Sequence, residues 1–309
     1  MSSLLIHNLT FERWRTALAA LGVLCCLAWT SAVQAVVLRD DRQQDVVVDS
    51  PPQRVVSLLP SLTEIVCALG QCDKLVGVDR YSNWPASVSR LPRLGGGLDP
   101  DIEKVVSLQP DLVLLATSTR GADRLQALGV KVMALEPRTY ADVQRVLQTV
   151  GQALQVPSAQ RAQVWREMDA ALAEAARSLP ESLKGQRVYV EVSPVPYGAS
   201  EASFIGETLQ RLGLRNILPA ELGPFPQINP EFVVRADPDF ILLGESSLPS
   251  LLKRPGWSGL KAVREGHYCV FTQPQADVLV RPGPRMAEGA RLIAQCLMRP
   301  WGNAARGLP

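Results

Sequence analysis

The sequence predicts an α/β fold in which two Rossmann-like βα lobes are joined by a single long helix. Three observations carry that expectation. From Arg54 onward short apolar runs alternate with amphipathic stretches, the alternation that builds parallel sheets. Residues 140–179 then read as helix, broken only at Val156-Pro157. Finally, the two flanking halves repeat one another: Glu103-Lys-Val-Val-Ser-Leu-Gln-Pro-Asp-Leu-Val-Leu-Leu115 aligns with Glu231-Phe-Val-Val-Arg-Ala-Asp-Pro-Asp-Phe-Ile-Leu-Leu243, with seven of thirteen positions identical.

Each element follows from local chemistry. Val55 to Leu59 is an apolar run that reads as the first strand. A helix over Leu62 to Leu69 follows, with Ser61 as expected N-cap, Glu64 as its capping-box partner and Gly70 at the C-cap. Leu75 to Val78 is the next strand, and Asp79 to Pro85 a loop. A helix over Ile102 to Leu108 ends before Pro110, and the fully apolar Leu112 to Leu115 suits a strand covered on both faces. Ala122 to Leu128 and Val130 to Leu135 form a further helix and strand. Ser158 to Leu179 contains neither Gly nor Pro, and Val164, Met168, Leu172, Ala175 and Leu179 recur at spacings of three and four, the stripe of one amphipathic helix. Strands are predicted again at Val188 to Val192, Phe240 to Leu243 and Tyr268 to Phe271, with helices over Phe204 to Leu212 and Arg285 to Met298. A continuous linking helix predicts a stiff hinge and small closure, because bending it breaks hydrogen bonds.

Composition narrows the function classes. The chain has 309 residues, 47% hydrophobic and 20% charged, with 32 Lys and Arg against 30 Asp and Glu. That balance excludes a disordered or collagen-like chain and argues against nucleic acid as a partner, since no basic run is present. Residues 1–35 read as a signal peptide: Arg13 and Arg15 precede the apolar stretch Ala17 to Trp29, and Val33-Gln34-Ala35 offers small residues for cleavage. Cys25 follows Leu24 and Cys26 follows Cys25, which favours a soluble exported protein over a lipid-anchored one. The remainder divides into an N-terminal lobe, 36–139, a helical connection, 140–184, and a C-terminal lobe, 185–309. Cys67, Cys72, Cys269 and Cys296 would remain after cleavage; one or two disulfides are compatible with an oxidising compartment, and the spacing leaves their pairing open.

Catalytic motifs are missing. Gly256-Trp-Ser-Gly259 is followed by Leu260 and does not complete a nucleophile elbow, and Gly95-Gly96-Gly97 does not follow a strand as a dinucleotide loop would. His267 is the single histidine outside the leader, so acid–base chemistry would rest on carboxylates such as Glu191 or Glu201, and a structural zinc site lacks ligands. The chain is read as a non-enzyme without a cofactor of its own.

Four segments carry a family likeness: Arg54-Val-Val-Ser-Leu-Leu-Pro-Ser-Leu-Thr-Glu-Ile-Val66, Val76-Gly-Val-Asp-Arg-Tyr-Ser-Asn-Trp-Pro85, Ile102-Glu-Lys-Val-Val-Ser-Leu-Gln-Pro-Asp-Leu-Val113 and Leu209-Gln-Arg-Leu-Gly-Leu-Arg-Asn-Ile217. With the leader and the long helix, they make the chain resemble the helical-backbone (class III) substrate-binding proteins of ABC importers for cobalamin, haem and ferric siderophores, above all the cobalamin-binding members. The resemblance implies a periplasmic monomer that captures cobalamin or a related metal chelate and passes it to a permease dimer driven by an ATPase, associating with the membrane only through that permease. A ligand sensor docking a membrane receptor is the other reading compatible with the same fold.

By the same resemblance, Glu103 and Glu231 are the permease-docking glutamates, although a negative charge in a first helical turn also suits the helix dipole. The ligand cleft is expected between the lobes, lined by Leu59, Pro60, Ser61 and the loop Tyr81 to Trp84 from one side and by Pro194 to Tyr197, Phe225, Pro226 and the stretch Asp277 to Arg281, Val278 included, from the other. Aromatic faces suit a flat macrocycle. Arg281 and Arg285 could bind propionate, phosphate or amide oxygens through their forked donors; Trp84 could instead pack beside Pro85, and Arg285 could anchor the last helix rather than bind ligand. The sequence departs from the cobalamin binders in having Gly95-Gly96-Gly97 and Val278 where those carry tryptophans, and Leu212 opposite Cys296, which leaves that cysteine without the family's disulfide partner. For haem, Tyr81 or Tyr197 would be the candidate iron ligands.

Overall fold

The computed structural model describes residues 35–251 and 253–301; the predicted signal segment falls outside them except for Ala35. The N-terminal lobe begins with the hairpin β1 (Val36–Arg39) and β2 (Asp45–Val48), and continues through β3 (Val55–Ser57), α1 (Pro60–Ala68), β4 (Leu75–Val78), α2 (Ile102–Ser107), β5 (Leu112–Leu115), α3 (Ala122–Ala127) and β6 (Val132–Ala134). Two helices follow, α4 (Tyr140–Ala153) and α5 (Ser158–Ser178). The C-terminal lobe contains β7 (Arg187–Ser193), β8 (Tyr197–Gly198), α6 (Phe204–Arg211), β9 (Arg215–Asn216), α7 (Pro230–Ala236), β10 (Phe240–Gly244), α8 (Leu248–Leu251), α9 (Lys261–Arg264), β11 (Tyr268–Phe271), α10 (Gln273–Leu279) and α11 (Met286–Leu297).

The lobes share one topology. Four parallel strands run in the order β4-β3-β5-β6 in the first and β9-β7-β10-β11 in the second, so the first strand of each parallel set lies between its second and third. Strand β8 adds to the second sheet antiparallel to β7. The repeated Pro-Asp pair has a structural cause in this arrangement. Asp111 Oδ2 accepts the amides of Gln53 and Arg54 at 2.7 and 2.9 Å, and Asp239 Oδ2 accepts the amide of Arg187 at 2.9 Å. Each aspartate thereby pins the entry of its own strand to the entry of the neighbouring first strand. Gln109 and Asp237, which occupy matched positions two residues earlier, both have positive φ, at 47° and 39°, so the chain leaves both helices by the same left-handed turn.

Helix α5 is the spine. Its 21 residues span about 31 Å, and its side chains reach two cores: Val164 and Met168 pack against the N-terminal one, while Met168, Leu172, Ala175 and Trp165 pack in the C-terminal one. On that side α5 lies along α11. The break expected at Val156-Pro157 is a connection between α4 and α5 in which Gln155 takes a φ of 54°. Helix α4 opens with a full capping box between Thr139 and Asp142.

One expectation needs correction, and one open question is answered. Helix α1 starts at Pro60, with Leu59 as N-cap and no side-chain cap; proline's fixed φ suits the first helical position. Glu64 is then too far along the helix to close a capping box and instead turns inward, 1% exposed. The pairing that the spacing leaves open is Cys269 with Cys296 and Cys67 with Cys72. Cys269 on β11 faces α11, so the bond ties the last strand to the last helix rather than reaching the position of Leu212.

Burial opposes the charge of Asp239, but the Lys261 ammonium at 2.8 Å and the Arg187 amide outweigh it and hold this carboxyl below its ordinary range. A depressed carboxylate stabilises the fold above its unfolded pKa of about 3.9 and loses that contribution as pH falls through the folded value. Asp239→Ala is expected to lower stability by about 1–2 kcal/mol at pH 7, with the difference from wild type vanishing at acid pH below the depressed value. Urea unfolding across that range checks it.

Candidate functional site

The first strands end where the two lobes face each other, which is where open α/β sheets bind ligands. Beyond β3 the chain runs through Leu59, Pro60 and Ser61 into α1, and beyond β4 it enters the loop of Arg80 to Trp84. This loop is held rigidly from behind. Asp79, fully buried, accepts the Tyr81 amide at 2.8 Å and the Ser82 hydroxyl, while Ser82 Oγ also meets Thr63 Oγ1 at 2.9 Å, which in turn donates to Ser57 Oγ at 2.8 Å. Arg93 donates to the carbonyls of Asp79 and Ser82. Burial, only partly offset by these donors, pushes the Asp79 carboxyl up from its ordinary range. With the backbone so clamped, Tyr81 stands 60% exposed.

Two cavities share Leu59, Pro60 and Tyr81. One, of about 290 Å³, is walled by both lobes: Ser61 joins the shared residues on one side, and Asp277, Val280, Arg281 and Pro282 face them. The other, of about 340 Å³, lies within the N-terminal lobe against Arg80, Gly96, Gly97, Leu98 and Ser118. The glycine loop fits only because it lacks side chains: a β-carbon on Gly97 would fall 2.8 Å from the Leu58 carbonyl oxygen. A smaller cavity of about 120 Å³ sits at the ends of β7 and β10, bordered by Glu191, Ser247 and Gln273 and also by Val280. Glu191 is buried and already engaged by the Arg254 guanidinium through both oxygens.

Arg281 crosses between the lobes. Only 7% exposed, its guanidinium donates to Glu64 Oε1 at 3.0 Å, Asn83 Oδ1 at 2.8 Å and the Tyr81 carbonyl at 3.0 Å on the first lobe, and to Asp277 Oδ2 at 2.7 Å on the helix α10 that precedes it. Asn83 Nδ2 completes the circuit to Asp277 Oδ2 at 3.0 Å. Arg285 lies 3.6 Å from Glu64, bonds Glu288 at 2.9 Å beside its own helix and covers the Trp84 ring at 5.1 Å. Burial outweighs these guanidinium groups at Glu64, whose carboxyl is pushed up from its ordinary range. Glu64 Oε2 and Ser61 Oγ have no hydrogen-bond partner among the described residues.

Of the residues predicted from sequence, Pro60, Ser61, Tyr81, Asp277 and Arg281 meet around the inter-lobe cavity. The guanidinium expected to hold ligand oxygens is spent instead on the opposing lobe. Trp84 stands under Arg285. Tyr197, Phe225 and Pro226 form a separate patch on the C-terminal lobe, where the Gly198 amide donates to the Pro226 carbonyl at 3.0 Å and Phe225 meets Phe204 edge-on. Val278 is a correction: at 3% exposure it points toward Met286 and Phe204, because two residues along a helix reverse the face, and Val280 borders the cavity in its place. His267 packs between Phe240 and Trp301. Sequence reasoning missed Arg80, Leu98 and Ser118, whereas Val280 lies inside the expected 277–281 stretch; Arg80, directly before Tyr81 in a loop expected at the cleft, carries a readable signal. No cluster of metal-ligating side chains occurs among the described residues, and no helix among them is long and apolar enough to cross a membrane.

Glu103 and Glu231 are exposed in the first turns of α2 and α7, and neither forms an ion pair among the described residues. Both helices precede a parallel strand and run back against it, so both first turns lie at the edge of the sheet where the strands end.

A family described as periplasmic binding protein matches residues 55–274. The chain is 30% identical to an uncharacterized ABC transporter substrate-binding lipoprotein, YvrC, of Bacillus subtilis, over 85% of each chain. Among solved structures it is similar to the periplasmic vitamin B12 binding protein BtuF of Vibrio cholerae, at 25% identity and a TM-score of 0.66 over 80% of this chain and 97% of that one. It is similar also to a periplasmic heme binding protein from Pseudomonas aeruginosa, at 26% identity and a TM-score of 0.69 over 80% and 92%.

Arg281→Ala would strand Glu64 in the interior with only Arg285 nearby, which is expected to cost about 3–5 kcal/mol. A carboxyl whose folded-state pKa is raised loses stability as pH rises through that pKa, so the deficit should be largest near pH 8 and shrink toward pH 5. Denaturant unfolding of wild type and variant at both pH values measures it; a pH-independent deficit would show that Glu64 is not the stranded group.

Proposed function

Since the chain belongs to the periplasmic binding protein family, we propose that it is a periplasmic carrier that captures cobalamin or a related corrinoid between its lobes and delivers it to an ABC importer. Family members are substrate-binding proteins that work with a permease and its ATPase. The observation that carries the ligand reading is the cavity walled by both lobes, with the exposed Tyr81 ring on one side and Asp277, Val280 and Pro282 opposite. An aromatic face beside a few fixed polar groups suits a flat macrocycle. Haem is the second reading, favoured by the exposed Tyr81 side chain, whose oxygen is of a kind that binds ferric iron.

The docking reading rests on Glu103 and Glu231, matched in sequence and both exposed at the strand-end edge of their lobes. Two separated carboxylates facing two arginine-bearing subunits would fix orientation and speed encounter while adding limited affinity. The protein itself would carry no cofactor and bind no ATP.

Titration of the purified protein with cyanocobalamin and then haemin, by tryptophan quenching and calorimetry, tests the ligand. Saturable one-to-one binding of cobalamin is the expected result; binding of haemin alone would move the chain to the second reading. Glu103→Ala and Glu231→Ala should each reduce transport in reconstituted vesicles with the cognate permease and leave ligand affinity unchanged. Loss of ligand binding by the double variant would remove the docking assignment.

A further inference from the structure

The cleft holds two arginines in opposite conditions. Arg281 is buried, and both its terminal nitrogens are engaged by four protein acceptors. Arg80 is exposed, borders the 340 Å³ cavity, and its guanidinium has no hydrogen-bond or ion-pair partner among the described residues. Its place is nonetheless well defined. The Arg80 amide donates to the Gly95 carbonyl at 2.8 Å, the guanidinium carbon lies 5.8 Å from the Tyr81 ring centre, and a β-carbon on Gly96 would stand 3.6 Å from Nη2, so the charged fork lies close over the bare glycine backbone. The nearby carboxylates do not neutralise it: Asp79 is committed to Tyr81 and Ser82, and Asp99 borders the cavity without pairing with Arg80.

We propose that Arg80 sets the ligand's charge class: it binds a carboxylate or phosphate carried at the edge of the ligand while Tyr81 takes the flat or apolar part. This rests on the cleft being the ligand site. A guanidinium offers two parallel donors that match the paired oxygens of either anion, and its partial exposure lets it meet them at limited desolvation cost. The inference names a class the macrocycle argument leaves open, since a chelate with only amide or ester periphery would offer Arg80 neutral carbonyl acceptors and leave its charge uncompensated.

The test compares Arg80→Gln and Arg80→Lys with wild type on two pairs of probes: haemin against its dimethyl ester for the carboxylate source, and cyanocobalamin against cobinamide, which lacks the nucleotide phosphate. For whichever pair the wild type binds, Arg80→Gln should weaken the acid-bearing member about tenfold or more and change the other less than about twofold, with Arg80→Lys in between. That weakening should also fall as salt rises, as for an exposed charge contact. Equal effects on both members, or none, would overturn the assignment while leaving the cleft as the ligand site. Failure of wild type to bind either pair would overturn the chelate-carrier reading and this inference together.

Discussion

The ion pair of Glu64 and Arg281 is the constraint on which the rest of the cleft depends. It joins the first helix of one lobe to the loop after α10 in the other, and it does so in the interior, where a single charge would be strongly disfavoured. Arg281 then does more than neutralise Glu64. By donating to Asn83 and to the Tyr81 carbonyl it fixes the loop that presents Tyr81, and by donating to Asp277 it fixes the helix end that faces this ring. The separation of the cavity walls is therefore set by hydrogen-bond lengths rather than by loose packing.

The topology explains why those residues can meet at all. In both sheets the first strand sits inside, and the loops that follow the first strand and its neighbour open toward the same edge. That edge carries the cavities and the first turns of α2 and α7. The Asp111 and Asp239 ties secure the opposite ends of the same strands. Each half of the repeat thus has one end devoted to holding the sheet and one end free for recognition.

Much of the fold was legible in the sequence because it is written in periodicity: the apolar strands, the stripe along α5 and the repeated Pro-Asp unit all survive without knowledge of distant contacts. The site was less legible. Glu64 looked like a capping residue, because Ser61 stood three positions before it, and only the helix start at Pro60 and a partner 217 positions away reveal its role. Val278 and Val280 differ by two positions in a helical segment, and nothing local says which one faces the cavity. The pairing of Cys269 with Cys296 likewise needed the packing of β11 on α11. What sequence did convey was the neighbourhood of the cleft; what it withheld was which polar groups there are already occupied by one another.

The sharing of Met168 between both cores reaches beyond geometry. Helix α5 buries one part of its apolar stripe in each lobe, so melting either lobe bares surface on an element the other still needs. Together with the charges that cross the interface, this couples the stability of the two lobes, since a lobe cut free would lose the helix that closes its core.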